Sequence, residues 1–81
     1  MTIQANDIIK SYDFHGRTDC YMVGLVERVE RDGLIHCKLL KRVLEGKLHP
    51  LPEGRTFQTP KQGCSMMDEM FPDFQRIEVI A

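Results

Sequence analysis

Two sets of side chains in this chain have the types needed for covalent or metal chemistry, and both meet obstacles in their spacing. Cys20 stands beside Asp19, and folding that brought His15 or His36 to it would make a thiol nucleophile with its base. A neighbouring carboxylate disfavours the thiolate, however, and a free cysteine at a strand start usually packs as a small buried hydrophobe. His15, Cys20, His36, Cys37, His49 and Cys64 are zinc-ligand types. The chain has no Cys-x-x-Cys or His-x-x-x-His pair, and adjacent His36 and Cys37 would point to opposite faces of a strand. Paired carboxylates for acid–base work, a glycine-rich phosphate loop and a serine elbow are missing as well. The expectation is a protein that is not an enzyme, with no catalytic residue, no cofactor and no metal.

Two further sets suit binding. Arg28, His36, Lys38 and Arg42 would share one face of a hairpin and offer cations to phosphate backbones, the nucleic-acid reading. A basic face in a chain with net charge −1 is more often a solvated surface. Met66, Met67, Met70 and Phe71 form a flexible apolar cluster of the kind that adapts to a partner protein. Their plainer role, and the preferred one, is a lid plugging one end of a small barrel.

The element that must position the cations is a hairpin over Tyr21–Leu44, turned at Arg31-Asp32-Gly33. A three-residue loop pairs Val29 with Ile35, Leu25 with Leu39 and Tyr21 with Val43. It also sets Arg28 opposite His36, Val26 opposite Lys38 and Met22 opposite Arg42. That register collects one largely apolar face and one cation-bearing face, and a slip by one residue would invert both. Glu27 is the misfit on the apolar face and belongs near a rim. A helix over residues 34–44 is the rival, since Ile35, Leu39 and Val43 also fit helical spacing; the close turn and the partner run favour strand.

Elsewhere Asn6–Tyr12 reads as a first strand entered through a polar turn, and residues 13–19 as a loop. Pro50, Pro52 and Gly54 break the chain before a short strand at Arg55–Thr59. Ser65 caps one helical turn over residues 65–71, with Asp68 at capping-box spacing and Pro72 as the stop. Arg76–Ile80 alternates as a last strand. The expected fold is therefore mainly β: a single domain over residues 1–81, a five-stranded antiparallel barrel of the Src-homology (SH3-like) kind with strands at 7–13, 20–30, 34–44, 55–59 and 75–80. Its core should hold Ile9, Tyr21, Val23, Leu25, Val29, Ile35, Leu39, Val43, Phe57, Ile77 and Val79.

At 81 residues the core is thin, because so short a chain buries only roughly 60–65% of its unfolded surface. No run approaches the roughly 18 apolar residues that span a bilayer, and the first residues lack a secretory pattern. With three widely spaced cysteines this suggests a cytoplasmic protein with reduced thiols and no membrane contact. An uncovered last strand, with Met66, Met67 and Met70 as apolar area, favours a homodimer.

Lys10-Ser11-Tyr12-Asp13-Phe14, then Asp19-Cys20-Tyr21 and Gly24, resembles small uncharacterised proteins of bacteriophages and mobile gene cassettes. Here Asn6-Asp7-Ile8-Ile9 stands in for the Gly-Asp-x-Val opening of that group, and His15 stands where many of its members carry proline. The similarity covers residues 6–24 and implies no activity. The functional expectation is an accessory protein that works by binding another protein, with nucleic-acid binding through the basic hairpin face as the alternative.

Overall fold

The computed structural model describes residues 2–81. Six strands form one antiparallel sheet: β1 (Ile8–Tyr12), β2 (Tyr21–Val29), β3 (Leu34–Leu44), β4 (Lys47–His49), β5 (Thr56–Pro60) and β6 (Ile77–Val79). A single helical turn, α1 (Met66–Met70), precedes β6. The order across the sheet is β4-β3-β2-β1-β6, and β5 shares with β4 the far edge of the long strand β3.

The β2–β3 hairpin closes through the three-residue loop its sequence suggests. The Gly33 amide donates to the Glu30 carbonyl at 2.9 Å, and Asp32 Oδ1 accepts from the Leu34 amide at 3.0 Å. Gly33 has φ 92°, a left-handed conformation that a side chain would resist. The register agrees with expectation at both ends: Val29 faces Ile35, Arg28 faces His36, Met22 faces Arg42 and Tyr21 faces Val43. Between these ends it is shifted by one residue. Glu27 on β2 and Leu40 on β3 are each left without a partner, two bulges that cancel.

The middle of the hairpin is thereby inverted. Val26 pairs with Cys37, and both are buried, whereas Leu25 pairs with Lys38 and is only half-buried. Glu27, the misfit of the apolar pattern, is put out to solvent by its own bulge. The core is Ile9, Val26, Ile35, Cys37 and Ile77, with Ile3, Phe57 and Val79 packed against it. Leu39 and Val43 are buried as expected; Tyr21 and Val23 are half-buried, and Val29 is exposed near the hairpin tip.

Two further expectations are corrected. Among the described residues the strand count is six, because Glu45 (φ 51°) and Gly46 (φ 77°) make a tight turn that sends β4 back along β3. A glutamate is a poor advertisement for that conformation, but the Gly46 amide is anchored on the Asp19 carbonyl at 2.9 Å. The sheet also stays open instead of closing into a five-stranded barrel: no ladder joins β5 to β6. Side chains bridge them instead. Gln62 Oε1 accepts from the Arg76 and Ile77 amides (2.7 and 2.9 Å), and Arg76 Nη2 donates to the Pro60 carbonyl at 2.6 Å.

Candidate functional site

The bridge is built around a buried ion pair. Arg76 enters β6 and reaches under α1, where Asp68 turns inward while its neighbours Met67 and Glu69 face solvent. Asp68 is 4% exposed and Arg76 6%, and their two contacts are parallel: Nε to Oδ1 at 2.9 Å and Nη2 to Oδ2 at 3.0 Å. Arg76 Nη1 donates to Thr59 Oγ1 at 2.7 Å, so one guanidinium ties β5, the loop after it, α1 and β6 together. The Gly63 amide donates to Asp68 Oδ2 at 3.0 Å, and His15 Nε2 lies 2.6 Å from Oδ1. The guanidinium, then the His15 and Gly63 donors, outweigh desolvation and hold the Asp68 carboxyl well below the usual carboxylate range. An ionised Asp68 can only accept, so His15 Nε2 carries the proton that it donates.

Asp68 therefore does not complete a capping box. Ser65 does cap α1, its Oγ accepting from the Met67 amide at 3.3 Å, but the carboxylate three residues on serves the core.

Over this clamp lies a groove of about 520 Å³, with Ser11, Asp13 and Thr59 among its polar lining and Tyr12, Phe14, Met67 and Phe71 as its apolar lining. A second depression of about 360 Å³ lies beyond Phe71, lined by Met70, Pro72, Asp73 and Phe74. Phe71 belongs to both and forms the ridge between them. Its ring is stacked on His15 (centroids 5.7 Å apart, 24° between planes), so the buried clamp sets the ridge in place. Asp13 meets Arg42 at 3.9 Å; burial raises its carboxyl above the ordinary value and Arg42 offsets this only in part.

The expected site residues divide as follows. Arg28, His36 and Lys38 share the face of the sheet turned away from the core, and Glu30 contacts two of them, His36 Nε2 at 2.9 Å and Arg28 Nη2 at 3.6 Å. Arg42 is not with them: past the Leu40 bulge it turns to the groove side, where Nη1 donates to Met22 Sδ at 3.4 Å. Met66, Met67, Met70 and Phe71 do come together on one exposed surface, and Phe14 joins them. The sequence pattern passed over Asp68, Arg76 and His15 as a unit, since residues so far apart along the chain carry no spacing that marks them as partners.

Cys20 is buried, with its Sγ accepting from the Glu45 amide at 3.3 Å, while Asp19 is bound by Arg17 (3.0 and 3.1 Å). His15 and His36 are engaged by Asp68 and Glu30, so neither proposed base is hydrogen-bonded to that thiol. Among the described residues no three His, Cys, Asp or Glu side chains are placed to hold a metal ion, and no helix is long and apolar enough to cross a membrane. Cys37 is fully buried, which, with Glu27 nearby, pushes its thiol up to about 11. Ellman's reagent on the native protein should therefore titrate Cys64 promptly, and Cys20 and Cys37 only after denaturation. Fast labelling of all three would mean that the core opens readily.

No protein-family model, no curated protein and no solved structure matches the chain.

Proposed function

We propose that this protein is a non-catalytic recognition module that binds a partner protein through the apolar surface around Phe71. One observation carries the reading: Phe14, Met67, Met70 and Phe71, all exposed, line two adjoining depressions with exposed Met66 beside them on α1, and His15 of the buried clamp stacks on Phe71. Burying even two such side chains releases about 3–6 kcal/mol before association costs, enough to matter in a complex. Methionine adapts its shape to what it meets. The lid reading is weaker, because the thioether side chains cover little: Met66 is 78% exposed and Met70 65%.

The open sheet, with β5 and β6 bridged by side chains, supports a likeness to small barrels of the SH3 kind without closure; free thiols support a cytoplasmic setting, and the resemblance of residues 6–24 supports service to a phage or mobile element. Dimerisation through β6 has less to build on, since Gln62 and Gln75 already engage the amide and carbonyl of Ile77. The nucleic-acid reading loses the shared four-cation face, with Arg42 turned away and Glu30 beside Arg28 and His36.

The test is affinity capture from lysate by the wild type, by Met66→Ser/Met70→Ser and by Lys38→Glu/Lys41→Glu. The expected result is a protein band lost with the methionine variant and kept with the lysine variant. Salt-sensitive oligonucleotide binding lost only with the lysine variant would overturn the proposal in favour of nucleic acid.

A further inference from the structure

Resting on that reading, we infer that the partner segment is a cationic amphipathic helix, whose neighbouring apolar side chains straddle Phe71 and whose lysines or arginines meet Asp13, Glu69 and Asp73. Charge is the first argument. Residues 62–75 contain Asp68, Glu69 and Asp73 and no lysine or arginine. Asp68 is consumed by Arg76, but Glu69 and Asp73 are exposed and, among the described residues, in no ion pair. Each depression also has its own carboxylate: Asp13 in the larger, Asp73 in the smaller. Arg76 is engaged by Asp68, Arg17 by Asp19, and Arg42 by Asp13 at the long distance of 3.9 Å, while the Lys61 side chain runs along Gly33 of the hairpin turn. A partner's ammonium group near Asp13 would supply the compensation that Arg42 gives only in part.

The second argument concerns the partner's backbone. A β-strand segment binds by adding to a sheet edge, and it needs free amides and carbonyls there. On this side β5 and β6 are bridged by Gln62 and Arg76, and the surface itself is presented by a helical turn and its flanks. A helix satisfies its own backbone and binds by side chains alone. Its residues at i and i+3 or i+4 stand about 5–6 Å apart, so two apolar side chains of one helix can lie on either side of Phe71, which lines both depressions. The two volumes, about 520 and 360 Å³, each admit a leucine or phenylalanine side chain.

The probes are three labelled peptides of about 18 residues, or five helical turns, with leucines at identical positions and lysine, glutamine or glutamate elsewhere. Fluorescence anisotropy with the intact protein reads their binding. The leucine–lysine peptide should bind at least about tenfold more tightly than the leucine–glutamine peptide, a difference of about 1.4 kcal/mol, and lose that advantage at about 0.5 M salt. The leucine–glutamate peptide should bind weakest, and Glu69→Lys/Asp73→Lys should reverse the order. Equal binding of the lysine and glutamine peptides, abolished by Met66→Ser/Met70→Ser, would overturn the cationic partner and leave the apolar recognition surface standing. Lysine-peptide binding indifferent to the methionine substitutions would overturn docking on this surface. Failure of all three peptides, with a dimer in sedimentation equilibrium that Met66→Ser/Met70→Ser dissociates, would assign the surface to a second copy and overturn the inference. Circular dichroism of each variant confirms that the fold is intact.

Discussion

Asp68→Ala should destabilise the protein by about 3–5 kcal/mol, the usual loss when one partner of a buried ion pair is removed. The remaining Arg76 would keep a buried charge, with Thr59, Pro60 and Lys61 still accepting from it but no anion beside it. A domain of this size has only about 4–12 kcal/mol in total at roughly 0.05–0.15 kcal/mol per residue. The variant should therefore lose at least about a quarter of that stability, with a denaturant midpoint far below that of the wild type. Asp68→Leu combined with Arg76→Met should lose less than Asp68→Ala alone, because no charge is then stranded. A single variant within about 0.5 kcal/mol of wild type would show that the pair is hydrated and carries no structural weight.

The same pair sets the acid limit. The Asp68 carboxyl is held below its ordinary value in the folded state, so the unfolded chain binds the proton more readily. Its contribution is complete above the unfolded value, about 4, and is lost as pH falls through the folded value. Asp13, held above its ordinary value by burial, has the opposite slope. Stability should thus fall steeply below pH of about 4, and Asp68→Asn should flatten that fall. Urea titrations across the acid range measure both.

Gly24→Ala should cost about 2–3 kcal/mol, toward the upper end of what overpacking a core costs. A β-carbon there would lie 2.5 Å from Cε1 of Phe57 and 2.7 Å from Cβ of Cys37. The phenyl ring has some freedom to swing away. The cysteine Cβ is tied to the backbone of β3, so relief demands that the two strands move apart. The melting temperature should drop by about 8–24 °C, at 4–8 °C per kcal/mol for a domain of this length. Phe57→Leu should recover only the part due to the ring. An unchanged melting temperature would mean that β2 and its neighbour β3 are not held this closely at Gly24.

Much of the hairpin was legible from local chemistry. Asp32 and Gly33 have the side-chain acceptor and the conformational freedom that a three-residue loop requires, and alternation set the register at both ends. The two bulges were not legible. Alternation makes Leu25 and Val26 equally good candidates for burial, and only the neighbours of β2 across the sheet decide that Val26 lies under Cys37. Glu27 was the one local sign of trouble: a charge in the apolar pattern marks where the ladder slips.

Along the chain, composition and turn residues were enough to determine a mainly β fold, a Ser65-capped helical turn and an apolar cluster at Met66–Phe71. These follow from interactions within a few residues, where spacing translates directly into geometry. The fate of individual charges was decided by tertiary structure alone. Asp68 and Arg76 read locally as a cap and a strand end, and His15 as a loop residue. Folding placed their polar atoms 2.6–3.0 Å apart under the groove, since a carboxylate taken from water must find donors wherever the fold supplies them. Arg42 lost its place among the hairpin cations for a comparable reason. The bulge at Leu40 reverses the alternation, and no residue type announces which face a strand will turn to a sheet that has not yet formed.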